Sequence, residues 1–245
     1  MELNTKQQEL YSRQIMIKDI GIEGQKKLAG ASVLVVGCGG LGAPVLSYLT
    51  AAGIGHLGIC DGDKVTLSNL NRQILFTMDD IGKPKTTATQ EKLPALNPDI
   101  TLTVYDQFID EEIADNIISG YDIVVDCLDN FKARFILNDA CIKAGKPLVH
   151  AGVEEYYGQL MTIIPGKGPC LRCLFPNGVK EETGKKPGVI GPTPGVLGAM
   201  QAMEVIKYLL GLQVCNDGLL TYDGLESSME KVKIKPSADC FCSTN

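Results

Sequence analysis

The apolar run Val33-Leu-Val-Val36 leads straight into Gly37-Cys-Gly-Gly-Leu-Gly42, in which Gly37, Gly39 and Gly42 keep the G-x-G-x-x-G spacing. The valine-rich run reads as a buried strand, Ala43 to Ala52 as a helix, and Gly53 stands where that helix should be capped. A strand, a glycine turn and a helix start make a phosphate cradle. Glycines let the backbone approach an anion, and the unbonded amides at the helix start point at it. The loop alone fits any dinucleotide-binding enzyme, so its companions decide the chemistry.

The first companion is Asp61, which ends the strand His56-Leu-Gly-Ile-Cys-Asp61 and lies 19 positions after Gly42. A carboxylate there accepts ribose hydroxyls in dinucleotide folds; a plain turn aspartate is the simpler alternative. The polar segment from Asp63 to Gln73 follows and puts Asn69, Arg72 and Gln73 beyond the carboxyl end of a strand, where open α/β sheets bind ligands. Gly82-Lys-Pro-Lys85 opens the next helix with proline near its first turn. Lys85 would face the same crevice, although taken singly it reads as a surface lysine. Tyr121 to Asn130 reads as a buried strand that ends in acidic residues, bringing Asp126 and Asp129 to the sheet's carboxyl edge. A carboxylate there can hold magnesium against phosphates. Cys170-Leu-Arg-Cys173 and Cys240-Phe-Cys242 form two cysteine clusters. Together they suggest thiolate zinc. The rivals are a redox pair or free thiols in a tail, and a redox C-x-x-C needs no second cluster.

These side chains need elements to carry them. Residues 6–20 read as one or two short amphipathic helices, and Arg13 among them as a solvated charge. Gly21 to Gly30 reads as a loop and a short helix. Further strands fall at Thr101–Phe108, Pro147–Val153 and Gly158–Pro165, the last pair antiparallel, and at Leu219–Tyr222 and Met229–Ile234. Helices fall at Glu111–Ile118, at Phe131–Ala144 with Gly145 as cap, and at Gly195–Leu210 with Met200 and Met203 in the core. The alternation predicts one Rossmann-like α/β sheet, mostly parallel, with antiparallel strands in the C-terminal half. We expect one domain over 1–245. It divides into a helical arm (1–30), a nucleotide-binding core (31–165), a cysteine knuckle and crossover loop (166–194), and a last helix, strands and cysteine tail (195–245).

A net charge of -6 argues against broad nucleic-acid binding. No apolar run could span a bilayer, and the polar N-terminus lacks a signal-peptide core. A cytoplasmic protein is the simplest expectation. Nine cysteines, an odd number with several inside strands and helices, argue against a disulfide framework.

Gly37-Cys-Gly-Gly-Leu-Gly42, Asp61, Ser68-Asn-Leu-Asn-Arg-Gln73, Gly82-Lys-Pro-Lys85, Cys127-Leu-Asp-Asn130 and the Cys170/Cys173 knuckle, in that order, resemble the ThiF/MoeB/HesA family. This is the bacterial branch related to ubiquitin-activating enzymes, and the likeness runs from Arg13 to the cysteine tail. It implies ATP-dependent adenylation of the C-terminal glycine carboxylate of a small ubiquitin-like sulfur carrier ending in Gly-Gly, of the molybdopterin- or thiamine-synthesis type. By family position Gly40 and its neighbours cradle phosphates and Asp61 holds the ribose. Arg72 and Lys85 neutralise phosphate oxygens, with Asn69 and Gln73 helping to place them. Asp129 carries magnesium. Asp63, Ser68, Leu70, Asn71 and Asn130 fall within the same nucleotide-binding motifs. The resemblance also implies a homodimer in which Arg13 reaches the neighbour's site like an arginine finger.

Two departures accompany the likeness. Leu174 to Val214 holds no cysteine, and Gly184 stands where some members carry one that binds the carrier covalently, so adenylation without that step is expected. The tail is C-x-C where the family usually has C-x-x-C, so zinc could take all four thiolates under strain, or three plus another ligand. Two alternatives share part of the pattern. A nicotinamide-dependent oxidoreductase would have the glycine loop and Asp61, but leaves Arg72, Lys85 and Asp129 unexplained. A non-catalytic carrier-docking homologue has no reason to keep all four of Arg13, Arg72, Lys85 and Asp129.

Overall fold

The computed structural model describes residues 2–179 and 188–243. The polar N-terminus forms α1 (Thr5–Leu10) and α2 (Ser12–Ile15), and α3 (Gly21–Gly30) leads to the first strand. The sequence suggests a loop before α3, but the helix takes the whole span. Leu28 is fully buried, and Gln25 Nε2 donates to Ala52 O at 2.8 Å. These tertiary anchors outweigh the low helix propensity of its glycines.

The chain then alternates through β1 (Ser32–Val36), α4 (Gly42–Ala52), β2 (His56–Cys60), α5 (Lys85–Leu96), β3 (Thr101–Tyr105), α6 (Glu111–Ile117) and β4 (Ile123–Asp126). It continues through α7 (Phe131–Ala144), β5 (Leu148–Glu154), β6 (Tyr157–Ile163), α8 (Leu171–Leu174), α9 (Pro192–Leu210), β7 (Gly218–Asp223) and β8 (Ser228–Lys233). The strands form one 8-stranded sheet in the order β3-β2-β1-β4-β5-β6-β7-β8. Pairs from β3 through β5 are parallel, and those from β5 through β8 are antiparallel. The mixed sheet implied by the sequence is the one observed.

Alternation along β1 explains why both faces are covered. Val33 and Val35 join a core with Leu46 and Leu49 of α4 and Leu197 and Val205 of α9. Leu34 and Val36 join a second core with Ala114 of α6 and Leu137 and Cys141 of α7. Helix layers on both faces are what a parallel sheet requires. Because β1 lies between β2 and β4, the chain leaves it first to one side and then to the other. The crevice beyond the carboxyl ends of β1 and β4 is therefore the topological switch point.

Several boundaries differ from the sequence reading. β3 stops at Tyr105, and Phe108 beyond it is exposed. α9 starts at Pro192 rather than Gly195, since proline in a first turn lacks only an amide that would be unbonded anyway. Met203 is not a core residue; it is exposed on α9, while Met200 packs partly against the core. Among the described residues no helix is long and apolar enough to cross a membrane.

Candidate active site

The glycine turn is forced by crowding. Gly37 has φ +100°, and a Cβ there would lie 2.5 Å from Cys127 O. A Cβ on Gly42 would lie 1.9 Å from Gly37 O. The turn thus folds against the end of β4 and back on itself, which only glycine permits. Ala43 N donates to Gly39 O at 2.9 Å, but among the described residues the amides of Gly39, Gly40 and Leu41 donate to nothing. Unbonded amides at the start of α4, on a floor with no side chain at 39 or 40, fit a phosphate.

Asp61 ties this turn to the next segment. Its Oδ2 accepts from Cys38 N at 2.7 Å and its Oδ1 from Asp63 N at 2.8 Å. Burial pushes its carboxyl above the usual carboxylate range, opposed by the Lys85 ammonium and the two amides. Asp63 Oδ2 in turn accepts from Lys85 Nζ at 2.9 Å. The Lys85 side chain is 7% exposed, so the surface reading of that lysine is excluded. A lysine held this way can exchange Asp63 for a phosphate oxygen with little movement.

The Ser68–Gln73 segment closes over the turn. Gln73 is buried, its Nε2 lies 3.4 Å from where a Cβ on Gly39 would sit, and its Oε1 has no partner. An orphaned buried acceptor beside an anion cradle fits a ligand hydroxyl or N–H. Arg72 Nη1 donates to Ser68 O at 2.9 Å and to Asn71 Oδ1 at 3.0 Å, while its carbonyl oxygen lies 3.6 Å from the Cβ position of Gly40. Asn69 Oδ1 accepts from Thr66 N at 3.1 Å, and Leu70 packs against the core; both shape the segment. The Ser68 hydroxyl lies 3.2 Å from that of Thr66, on the exposed side.

At the end of β4 the two aspartates separate. Asp126, placed with Asp129 at the sheet edge by sequence, is fully buried, and its Oδ2 lies 2.6 Å from His150 Nδ1. It is therefore not open to a metal. Asp129 is exposed at the crevice, and Asn130 is spent as a cap on α7, accepting from Ala133 N at 2.9 Å. Sequence reasoning missed His150 and Arg134 beneath this turn. Burial holds the His150 imidazole below its usual range against the pull of Asp126. Cys38 and Cys127 flank the crevice, and burial pushes both thiols well up, so neither supplies a thiolate nucleophile at neutral pH.

Arg13 is not brought to this crevice. Tyr11 packs under Gly53, whose Cβ position lies 2.5 Å from the Tyr11 ring, and Gln14 Nε2 donates to Ala52 O at 3.1 Å. α2 is thus docked at the C-terminal end of α4. The glycine turn is at the other end of that 11-residue helix, about 16 Å away. Arg13 itself is exposed.

The cysteines converge. The four Sγ atoms of Cys170, Cys173, Cys240 and Cys242 lie within 4.8 Å of one another, with Cys170–Cys240 at 3.6 Å and Cys173–Cys242 at 3.4 Å. Tetrahedral thiolate zinc, with bonds of about 2.3 Å, sets sulfurs roughly 3.8 Å apart. The C-x-C tail therefore presents both of its sulfurs to the knuckle. Gly184 lies outside the described residues.

Residues 11–244 match the ThiF family. The chain belongs to that family. It is 43% identical to a sulfur carrier protein adenylyltransferase of Thermus thermophilus over 241 residues, covering 94% of this chain and 88% of that protein. Identity to the Escherichia coli sulfur carrier protein ThiS adenylyltransferase is 41%, over 94% and 92% of the two chains. The MOCS3 adenylyltransferase and sulfurtransferase of Xenopus laevis is 43% identical, but this ThiF-family chain spans only 53% of its length. Among solved structures, E. coli MccB with ATP superposes with a TM-score of 0.85 at 27% identity, over 98% of this chain and 74% of MccB.

Proposed function

We propose that this chain adenylates the C-terminal glycine carboxylate of a small ubiquitin-like sulfur carrier, acting as one adenylation domain and as a homodimer. The observation that carries the reading is the Asp61–Asp63–Lys85 relay under the unbonded amides of the glycine turn. A nicotinamide oxidoreductase needs no buried lysine there, whereas an ATP phosphate chain does. Family membership and the sulfur-carrier adenylyltransferases among its relatives support the same reading.

In this reading a carboxylate oxygen of the carrier attacks the α-phosphorus of ATP. The bond to the bridging oxygen of the β-phosphate breaks, and pyrophosphate leaves with the electron pair. Gly40 and its neighbours seat the phosphates, Asp61 accepts the ribose hydroxyls, and Arg72 and Lys85 offset the charge that gathers on the leaving oxygens. Asp129 would hold magnesium, which supplies further charge neutralisation when bound. The expected outcome is carrier-dependent exchange of labelled pyrophosphate into ATP, lost when the carrier's last glycine is removed, because the shortened tail no longer reaches the phosphorus. Exchange that survives the truncation would overturn the assignment.

We also assign zinc to the four-cysteine cluster, on the fit of its sulfur spacing to a tetrahedral ion. Protein purified without added metal should contain about one equivalent of zinc by elemental analysis. Cys173→Ser should lower the thermal midpoint, because structural metal binding adds directly to folding free energy. Trace zinc alone in carefully handled protein would refute this.

A further inference from the structure

Arg134 is a charged side chain at the crevice that the nucleotide reading leaves unused. It sits in the first turn of α7, and its side chain is 8% exposed. Nη2 donates to Leu128 O at 2.6 Å and to Ala151 O at 3.3 Å, while Nε stands 3.9 Å from Asp126 Oδ2, too far for a hydrogen bond. Nη1 makes no hydrogen bond among the described residues, and it is not sealed from solvent as Nε is. A second donor converges on the same spot. Gln159 faces Gly152 across the β5–β6 pair, and its side-chain amide has no partner among the described residues. A Cβ on Gly152 would meet Gln159 Nε2 at 3.2 Å and Arg134 Nη1 at 3.3 Å, so the glycine leaves room for both donors above it.

We infer that Arg134 Nη1 and the Gln159 amide form a seat over Gly152 for the C-terminal carboxylate of the carrier's tail, an inference that rests on the adenylation reading. A nearly buried guanidinium with one N–H turned outward selects an anionic oxygen, since charge-assisted hydrogen bonds outweigh neutral ones. The seat is displaced from the phosphate cradle. β5 lies two strands from β1, about 10 Å across the sheet, and this leaves the phosphates to the glycine turn. It is also joined to the acidic turn, because Arg134 grips the carbonyl of Leu128, the residue before Asp129. One carboxylate oxygen held at the seat leaves the other directed toward the nucleotide, an orientation that lowers the barrier to attack.

The test measures tail recognition apart from catalysis. Each ubiquitin-like protein of the source genome that ends in Gly-Gly is expressed singly, and those supporting pyrophosphate exchange by the wild-type chain are kept. Their dissociation constants are then measured by calorimetry, intact and with the two glycines removed. Gln159→Ala, at a partly exposed position that should not disturb folding, is expected to weaken the intact carrier about tenfold. Arg134→Lys should weaken it at least as much. Neither should alter the truncated carrier's affinity or the KM for ATP. Unchanged affinity for the intact carrier in Gln159→Ala would overturn the seat, as would an equal loss for the truncated carrier, whether or not Arg134→Lys folds. Absence of exchange with every carrier in the wild-type chain would overturn the adenylation reading and the seat together; failure of the seat alone leaves exchange intact.

Discussion

Asp129→Ala should lower pyrophosphate exchange by about three orders of magnitude while the chain keeps its fold. The expectation of an intact fold rests on the turn around it. Leu128 N donates to Asp126 Oδ1 at 3.0 Å, Leu128 O accepts from Arg134, and Asn130 caps α7. None of those bonds uses the Asp129 side chain, which is exposed at the crevice. The loss would therefore report the missing charge. Attack by one anion on another needs a cation between them, and without the carboxylate assigned to hold it magnesium would be lost from the phosphates. Asp129→Asn, which keeps the shape and removes the charge, should fall nearly as far. Exchange at the wild-type rate in Asp129→Ala, with magnesium and carrier saturating, would remove this residue from the role assigned to it.

The second large effect concerns Arg13. In its own chain it belongs to a helix docked at the far end of α4 from the glycine turn. If it acts, it acts on a neighbour. Arg13→Ala and Asp129→Ala homodimers should each be nearly inactive. In a mixed dimer one site carries both lesions and the other carries neither. With random mixing half of the dimers are mixed, and about a quarter of all sites are intact, by two-fold symmetry. Co-expression with two different tags isolates the mixed species, which should show about half the wild-type exchange per dimer. Activity no higher than in the inactive homodimers would mean that Arg13 works within its own chain or not at all.

Some of this was legible in the residues, for identifiable reasons. α7 runs from Phe131 to Ala144 as read, because Asn130 caps its start and Gly145, with φ +67°, ends it. α4 ends at Gly53 for the same cause. Asp61 could be found by counting from Gly42, since a parallel βαβ unit fixes that distance. Taken singly, Lys85 could not be distinguished from a surface lysine, because the carboxylate that accepts from its ammonium, Asp63, lies 22 residues away. Arg134 gave less warning still. Its partners are a carbonyl after β4 and another on β5, contacts made by sheet order and not by spacing along a helix. The Gly152–Gln159 pairing likewise needed the register of a hairpin whose turn sequence, Glu154-Glu-Tyr-Tyr157, carries none of the usual glycine or asparagine signals. The length of α3 escaped because Gln25 is anchored to Ala52, not to its own helix.

The cysteine cluster joins points that lie far apart along the polymer: Cys170 and Cys240 are 70 residues apart in sequence and 3.6 Å apart at sulfur. A metal ion shared between them would turn the intervening chain, which includes α9 and the β7–β8 hairpin, into a closed circuit. Because such a site assembles only in the folded chain, an ion bound there would stabilise the fold by its own binding free energy. The hairpin needs such help, since every residue of β8 is exposed and contributes little burial of its own. With an ion bound, peeling the β7–β8 hairpin and the segment after it away from the knuckle would mean breaking metal–sulfur bonds as well.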